Sequence, residues 1–131
     1  MSEELLKFHH LGIASVCIED SIEFIKRNFE IEYISEQIFD ELQDGTLCIV
    51  SVKNHPDIEL IAGNVVKNLI PKNRLFYHIC YEVENIEEAI SELKKERFMP
   101  VSKPKVSNTF DNHRVCFLIK KDIGLIEIIE K

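Results

Sequence analysis

Four residues in this chain have the types and the spacing to hold a metal ion. His10 and Glu59 stand 49 residues apart, and so do His78 and Glu127. Neutral imidazole and carboxylate together suit a borderline divalent metal such as Zn, Ni, Co or Fe. Glu127 sets the problem most sharply, because it lies between Ile126 and Ile128 in the closing run "GLIEIIEK". A strand alternates faces, so Glu127 could simply look at water. A carboxylate facing inward instead needs a positive partner to offset its burial.

The equal spacing belongs to an internal repeat. Shifted by 68, "FHHLGIASVCIEDSIEFIK" lies over "FYHICYEVENIEEAISELK" without a gap. Identities fall at Phe8/Phe76, His10/His78, Ile18/Ile86, Glu19/Glu87, Ile22/Ile90 and Lys26/Lys94, then at Cys48/Cys116, Lys53/Lys121, Ile58/Ile126, Glu59/Glu127 and Ile61/Ile129. Self-similarity at a fixed offset marks two copies of one supersecondary unit. If the repeat records folding alone, its matched residues are core positions, which is the reading for Phe8, Ile18, Ile22, Cys48 and their twins. Four matched polar residues need a further reason.

Each copy reads as βαβββ. Strands are expected over 7–14 and 75–83, each opening on its histidine. Helical spacing covers 18–29 and 86–97, with Ile18, Ile22 and Ile25 on one stripe and Ile86, Ile90 and Leu93 on the other. Asn85 is a candidate N-cap with Glu88 three residues on. Further strands are expected over 31–39, 46–52 and 57–62, then over 99–106, 114–120 and 124–130. The expectation is one α+β domain over 1–131: module one about 7–62, a linker over 63–74 and module two about 75–131. Pseudo-twofold packing of the modules would form a curved mixed sheet around the two histidines and two glutamates. Gly12 and Cys80, small residues two past each histidine, leave room for a substrate.

Composition narrows the function classes. The net charge is −7 and the pI about 5.2, against the clustered Lys and Arg that a nucleic-acid or membrane surface needs. No apolar run approaches the ~20 residues of a membrane helix, and "MSEELLKFHH" does not read as a signal peptide. Cys17, Cys48, Cys80 and Cys116 form no C-x-x-C pair, and a reduced, cytoplasmic chain is expected.

In order and spacing, "HHLGIA", "IEL", "YHICYEV" and "GLIEIIE" resemble the four ligand strands of the vicinal oxygen chelate superfamily. That group includes glyoxalase I (lactoylglutathione lyase), methylmalonyl-CoA epimerase, bleomycin-resistance proteins and extradiol dioxygenases. "HICYEV" followed by "IGLIEIIEK" is closest to the epimerase and bacterial glyoxalase branches. The resemblance implies metal roles for His10, Glu59, His78 and Glu127, with Ni, Co or Zn as the ion. It also implies a homodimer, with the site built within one chain or across two. The implied chemistry is proton transfer next to a carbonyl, on a CoA ester or a thiol hemithioacetal, through an enolate or enediolate. The proton would be moved by Glu127 or Glu59, as in glyoxalase I, or by Glu41, one residue out of register with the epimerase pattern. An iron dioxygenase would use only two His and one Glu, leaving Glu59 idle. A metal-free binding module, as in antibiotic resistance, would be expected to lack several of the four.

Other polar residues have weaker claims. His113 and Arg114 could touch substrate at the head of a strand, and Lys103 and Lys105 could meet a phosphate or carboxylate. His55 reads as loop, His9 as structural, and Glu82 shares a strand face with His78. Glu130 is expected on the face opposite Glu127, as a surface residue.

Overall fold

The computed structural model describes residues 4–72, 76–107 and 109–131. Among these there are ten strands and two α-helices in an α+β arrangement. Leu75, placed at the start of module two, and Asn73 and Arg74 of the linker lie outside the described residues. The chain divides into two compact units, His10–Tyr77 and His78–Lys131, the latter together with Met1–His9. The N-terminal segment thus joins the second unit, where Leu6 packs on its core.

In the first unit, β1 (Lys7–Ala14) contributes its residues from His10 onward. Helix α1 (Ile18–Asn28) follows, then β2 (Ile31–Ile34), β3 (Ile38–Asp40), β4 (Gly45–Val52) and β5 (Ile58–Ala62). The sheet runs β2-β4-β5-β1 with β3 also on β4, and β1 is parallel to β5. Ile18 and Ile25 on one stripe of α1 close over Cys48, Val50, Val52 and Leu60. Alternation leaves the opposite sheet face to His10, Gly12, Leu47, Ile49, Glu59 and Ile61. One end of that face is filled where Ala14, Leu47 and Ile61 meet Val66. Val66 comes from the first of two short 3-10 turns, Asn64–Val66 and Ile70–Lys72, in the segment after β5.

The second unit repeats the plan with β6 (Phe76–Val83), α2 (Ile86–Lys95), β7 (Met99–Pro100), β8 (Lys105–Val106), β9 (Arg114–Lys120) and β10 (Gly124–Glu130). Phe76 and Tyr77 at the head of β6 fall in the first unit. Its order is β6-β10-β9-β7, with β8 also on β9 and β6 parallel to β10. Ile86, Ala89 and Leu93 of α2 pack on Cys116, Leu118, Ile126 and Ile128. As the sequence expects, the Asn85 side chain caps α2, accepting from the Glu88 N–H at 3.0 Å. Helix α1 has Cys17 at that position and no side-chain cap bond.

Each module has one more strand than the βαβββ reading allows. The single strands expected over 31–39 and 99–106 are each broken in two. In the first, the Ser35 N–H still donates to the Ile49 carbonyl at 2.9 Å, but its Oγ takes the return bond from the Ile49 N–H at 2.8 Å and donates to the Glu36 carbonyl at 2.8 Å. In the second, the break contains Pro104, which has no N–H to give a ladder. The twin cysteines sit under these breaks, Cys48 Sγ donating to Ser35 O at 3.5 Å and Cys116 Sγ to Ser102 O at 3.3 Å. Burial pushes both thiols above their ordinary pKa.

Candidate metal centre

In the first unit His10 and Glu59 face each other, with Nε2 and Oε2 3.6 Å apart. In the second, His78 Nε2 and Glu127 Oε1 are 3.1 Å apart. All four side chains are at most 1 % exposed. Glu127 thus faces inward and meets an imidazole.

The local sequence explains how each pair forms. Parallel pairing sets Gly12 against Glu59 on β1 and β5, and Cys80 against Glu127 on β6 and β10. These registers are identical under the 68-residue shift. In both, the histidine lies two residues before the small residue and on its face. Ile49 stands opposite Glu59 from β4, and Phe117 opposite Glu127 from β9. Phe117 also holds its ring edge-to-face with His78, centroids 5.3 Å apart.

The donor set fits a divalent metal. Two atoms each about 2.1 Å from one ion are about 3.0 Å apart at a right angle and about 3.4 Å apart at a tetrahedral one. Separations of 3.1 and 3.6 Å stand close to these values without a metal. Imidazole nitrogen with carboxylate oxygen is an intermediate ligand type suited to Zn, Co or Ni.

Glu41 is exposed in the turn between β3 and β4, and among the described residues no hydrogen bond joins it to His10 or Glu59. The buried carboxylate of that turn is Asp40, which is 2 % exposed. Asp40 pairs with Gly45 as Ile38 pairs with Leu47, and Leu47 pairs with Ile61 as Ile49 pairs with Glu59. Directly opposed residues share a face, so Asp40 lies on the face of Glu59. Period-two alternation through "IFD" could have found it. Gln43 is buried beside it and donates from Nε2 to Asp40 Oδ2 at 2.9 Å.

The weaker candidates find structural partners. His113 Nδ1 lies 2.7 Å from the Glu130 carbonyl oxygen, and Arg114 donates to Glu130 and Glu87. His55 Nδ1 meets the Pro56 carbonyl at 2.6 Å. His9 stands edge-to-face with Phe110. Glu82 lines a small polar cavity of about 180 Å³ with His9, Phe110, Asp111 and His113. Lys103 and Lys105 are exposed. Glu130 corrects the expectation of a surface residue. It does face opposite Glu127, but its carboxylate accepts from Arg114 Nε at 2.9 Å and from the Ile86 N–H of α2 at 3.0 Å. These bonds hold its pKa below the usual carboxylate range.

The family model described as the Glyoxalase/Bleomycin resistance protein/Dioxygenase superfamily matches residues 9–117. The chain belongs to this vicinal oxygen chelate superfamily. Several solved structures superpose on it. Methylmalonyl-CoA epimerase from Mycobacterium tuberculosis does so at TM-score 0.82 and 18 % identity, over 99 % of this chain and 91 % of that one. A hypothetical protein from Bacillus halodurans C-125 gives 0.75 at 22 % identity, over 98 % and 96 %. A Streptomyces coelicolor methylmalonyl-CoA epimerase variant in complex with 2-nitronate-propionyl-CoA gives 0.72 at 17 %, over 98 % and 99 %. At these identities the likeness is one of fold. No curated protein matches the sequence. Among the described residues no helix is long and apolar enough to cross a membrane.

Proposed function

We propose that His10, Glu59, His78 and Glu127 are ligands of a divalent metal, and that the protein is a metal-dependent isomerase, epimerase or lyase. Its reaction is proton transfer at the carbon next to a carbonyl, on a CoA ester or a thiol hemithioacetal. The observation that carries this reading is the duplication of a buried His–Glu pair at the same strand register in both modules. Folding alone gives no reason to bury two carboxylates in this way. Superfamily membership and epimerase neighbours support the same class.

A divalent ion bound there would polarise the substrate carbonyl as a Lewis acid. The chain's own part is to fix the ligand atoms and to move the proton. His10 and His78 would hold the ion through Nε2. Glu59 and Glu127 would each supply a carboxylate oxygen, and one of them can carry the proton between substrate positions. Gly12 and Cys80, opposite the two glutamates, keep side-chain bulk away from the reacting atoms. Glu41 is the alternative carrier, acting from the β3–β4 turn. Four ligands favour this reading over a dioxygenase, whose facial triad leaves one carboxylate unused. A homodimer is part of the proposal.

The test is to measure the metal content of the purified protein and assay CoA-ester epimerisation beside hemithioacetal isomerisation. Activity that survives a strong chelator overturns the metal mechanism. Glu41→Gln decides the base: lost turnover with metal retained assigns it to Glu41, and unchanged turnover leaves it with Glu59 or Glu127.

A further inference from the structure

The turn between β3 and β4 buries an acceptor that no described residue uses. Gln43 is 7 % exposed, and its Oε1 is shielded from solvent with no hydrogen-bond partner among the described residues. Its amide is nevertheless held firmly. Nε2 donates to Asp40 Oδ2 at 2.9 Å, while Asp40 Oδ1 accepts from the Leu42 N–H at 3.0 Å and the Gln43 N–H reaches the Asp40 carbonyl at 3.3 Å. An ionised carboxylate only accepts, so Asp40 fixes which end of the amide faces it and leaves the oxygen pointing away. Buried polar atoms are paired in nearly all folded proteins, and an exception calls for a missing partner.

The turn is itself fixed in place. The Val65 N–H donates to Asp44 O at 3.2 Å, and Asn64 Nδ2 to Asp44 Oδ2 at 3.1 Å. Asp40 shares the sheet face of His10 and Glu59. Gln43 is bonded to Asp40, so its amide stands on the side that the proposed function assigns to substrate.

We propose that Gln43 Oε1 receives a hydrogen bond from an O–H or N–H donor on the small-molecule substrate, making Gln43 a positioning and specificity-determining residue. The proposal rests on the reading that this face of the first unit is where substrate lies. The adjoining carboxylate of Asp40 disfavours an anionic group there. A neutral hydroxyl or amide N–H matches both the acceptor and the local charge. Gln43 has no part in moving a proton, since a carboxamide does not titrate.

The experiment uses the full chain, metal-free and loaded with Ni²⁺, and two matched probe pairs in calorimetric titrations. Hydroxyacetone and methoxyacetone differ in a hydroxyl donor; acetohydroxamic acid and its N-methyl derivative differ in an N–H donor. The parent is expected to prefer the donor-bearing member of one pair by about tenfold, the size of one net hydrogen bond. The pair that is discriminated identifies the donor as O–H or N–H. Gln43→Met should abolish the preference by weakening only the donor-bearing probe. Equal binding of both members by the parent, a preference that survives Gln43→Met, or no binding of any probe overturns the proposal. The parent's own preference is decisive even if Gln43→Met fails to fold. The Ni²⁺ isotherm is read separately. Ni²⁺ binding without probe discrimination sinks this inference alone, whereas discrimination without Ni²⁺ binding sinks the metal reading alone.

Discussion

Glu127→Gln should reverse its effect on stability when metal is added. Glu127 is 1 % exposed and stands 3.1 Å from His78 Nε2. Glutamine has the same shape, and a neutral amide is cheaper to bury than a carboxylate, so the metal-free variant should stay within about 1 kcal/mol of the parent. With Ni²⁺ at a hundred times its Kd, the parent gains about 2.7 kcal/mol from binding. For a chain of 131 residues that corresponds to roughly 10 °C in Tm. Losing an anionic ligand that weakens affinity by about a hundredfold leaves about 0.4 kcal/mol at the same Ni²⁺ concentration, or roughly 1–2 °C. Thermal unfolding followed by circular dichroism, after chelator treatment and with Ni²⁺ restored, reads both values. A variant that gains the full parental shift would refute the ligand role. A parent that gains nothing from Ni²⁺, Co²⁺ or Zn²⁺ would refute the site.

Glu130→Gln should destabilise the fold on the order of 1 kcal/mol at pH 7, through weaker contacts with Arg114 and the α2 N-terminus. Because the folded carboxyl lies below its ordinary value of 4.5, this contribution is complete above that value and fades as pH falls through the lower folded one; urea unfolding at pH 7 and pH 3 measures the difference. Gly45→Ala should cost about 1–3 kcal/mol, since its Cβ would stand 2.9 Å from Val65 Cγ1 and 3.0 Å from the Ala62 carbonyl oxygen; denaturant midpoints report it. Asn85→Ala should cost about 1 kcal/mol by uncapping α2. Cys17→Ser should raise the midpoint slightly, because α1 lacks a side-chain cap that serine can supply from an extended backbone.

The sequence was most legible where periodicity and repetition agreed. Both helices, the first strand and the closing strands 114–120 and 124–130 follow from apolar spacing. The inward aim of Glu59 and Glu127 followed from their shared offset to a histidine. Less legible were features set by hydrogen bonds that carry no period. The Ser35 break depends on a side chain reaching Ile49 fourteen residues away. Glu130 looked like a surface residue because its partners, Arg114 and the Ile86 N–H, are brought to it by folding. In "IFDELQD" three acids crowd one turn; alternation through "IFD" points to Asp40, and its pairing with Gly45 places it on the face of Glu59.

The broken strands also bear on how the protein behaves at high concentration. Strands β2 and β3 border the first unit's sheet on β4, and β7 and β8 border the second unit's sheet on β9. They offer apolar surface, with Tyr33, Phe39, Met99, Val101 and Val106 all more than half exposed. An unbroken border of eight or nine residues carrying such side chains would template growth by strand addition from neighbouring molecules. The interruptions at Ser35–Gln37 and Val101–Pro104 cut those borders into pieces of two to four residues. Lys103 and Lys105 add charge to one of them, and Pro104 removes a donor. The same breaks that the repeat did not reveal thus leave each border strand short, and short border strands are poor templates for strand addition.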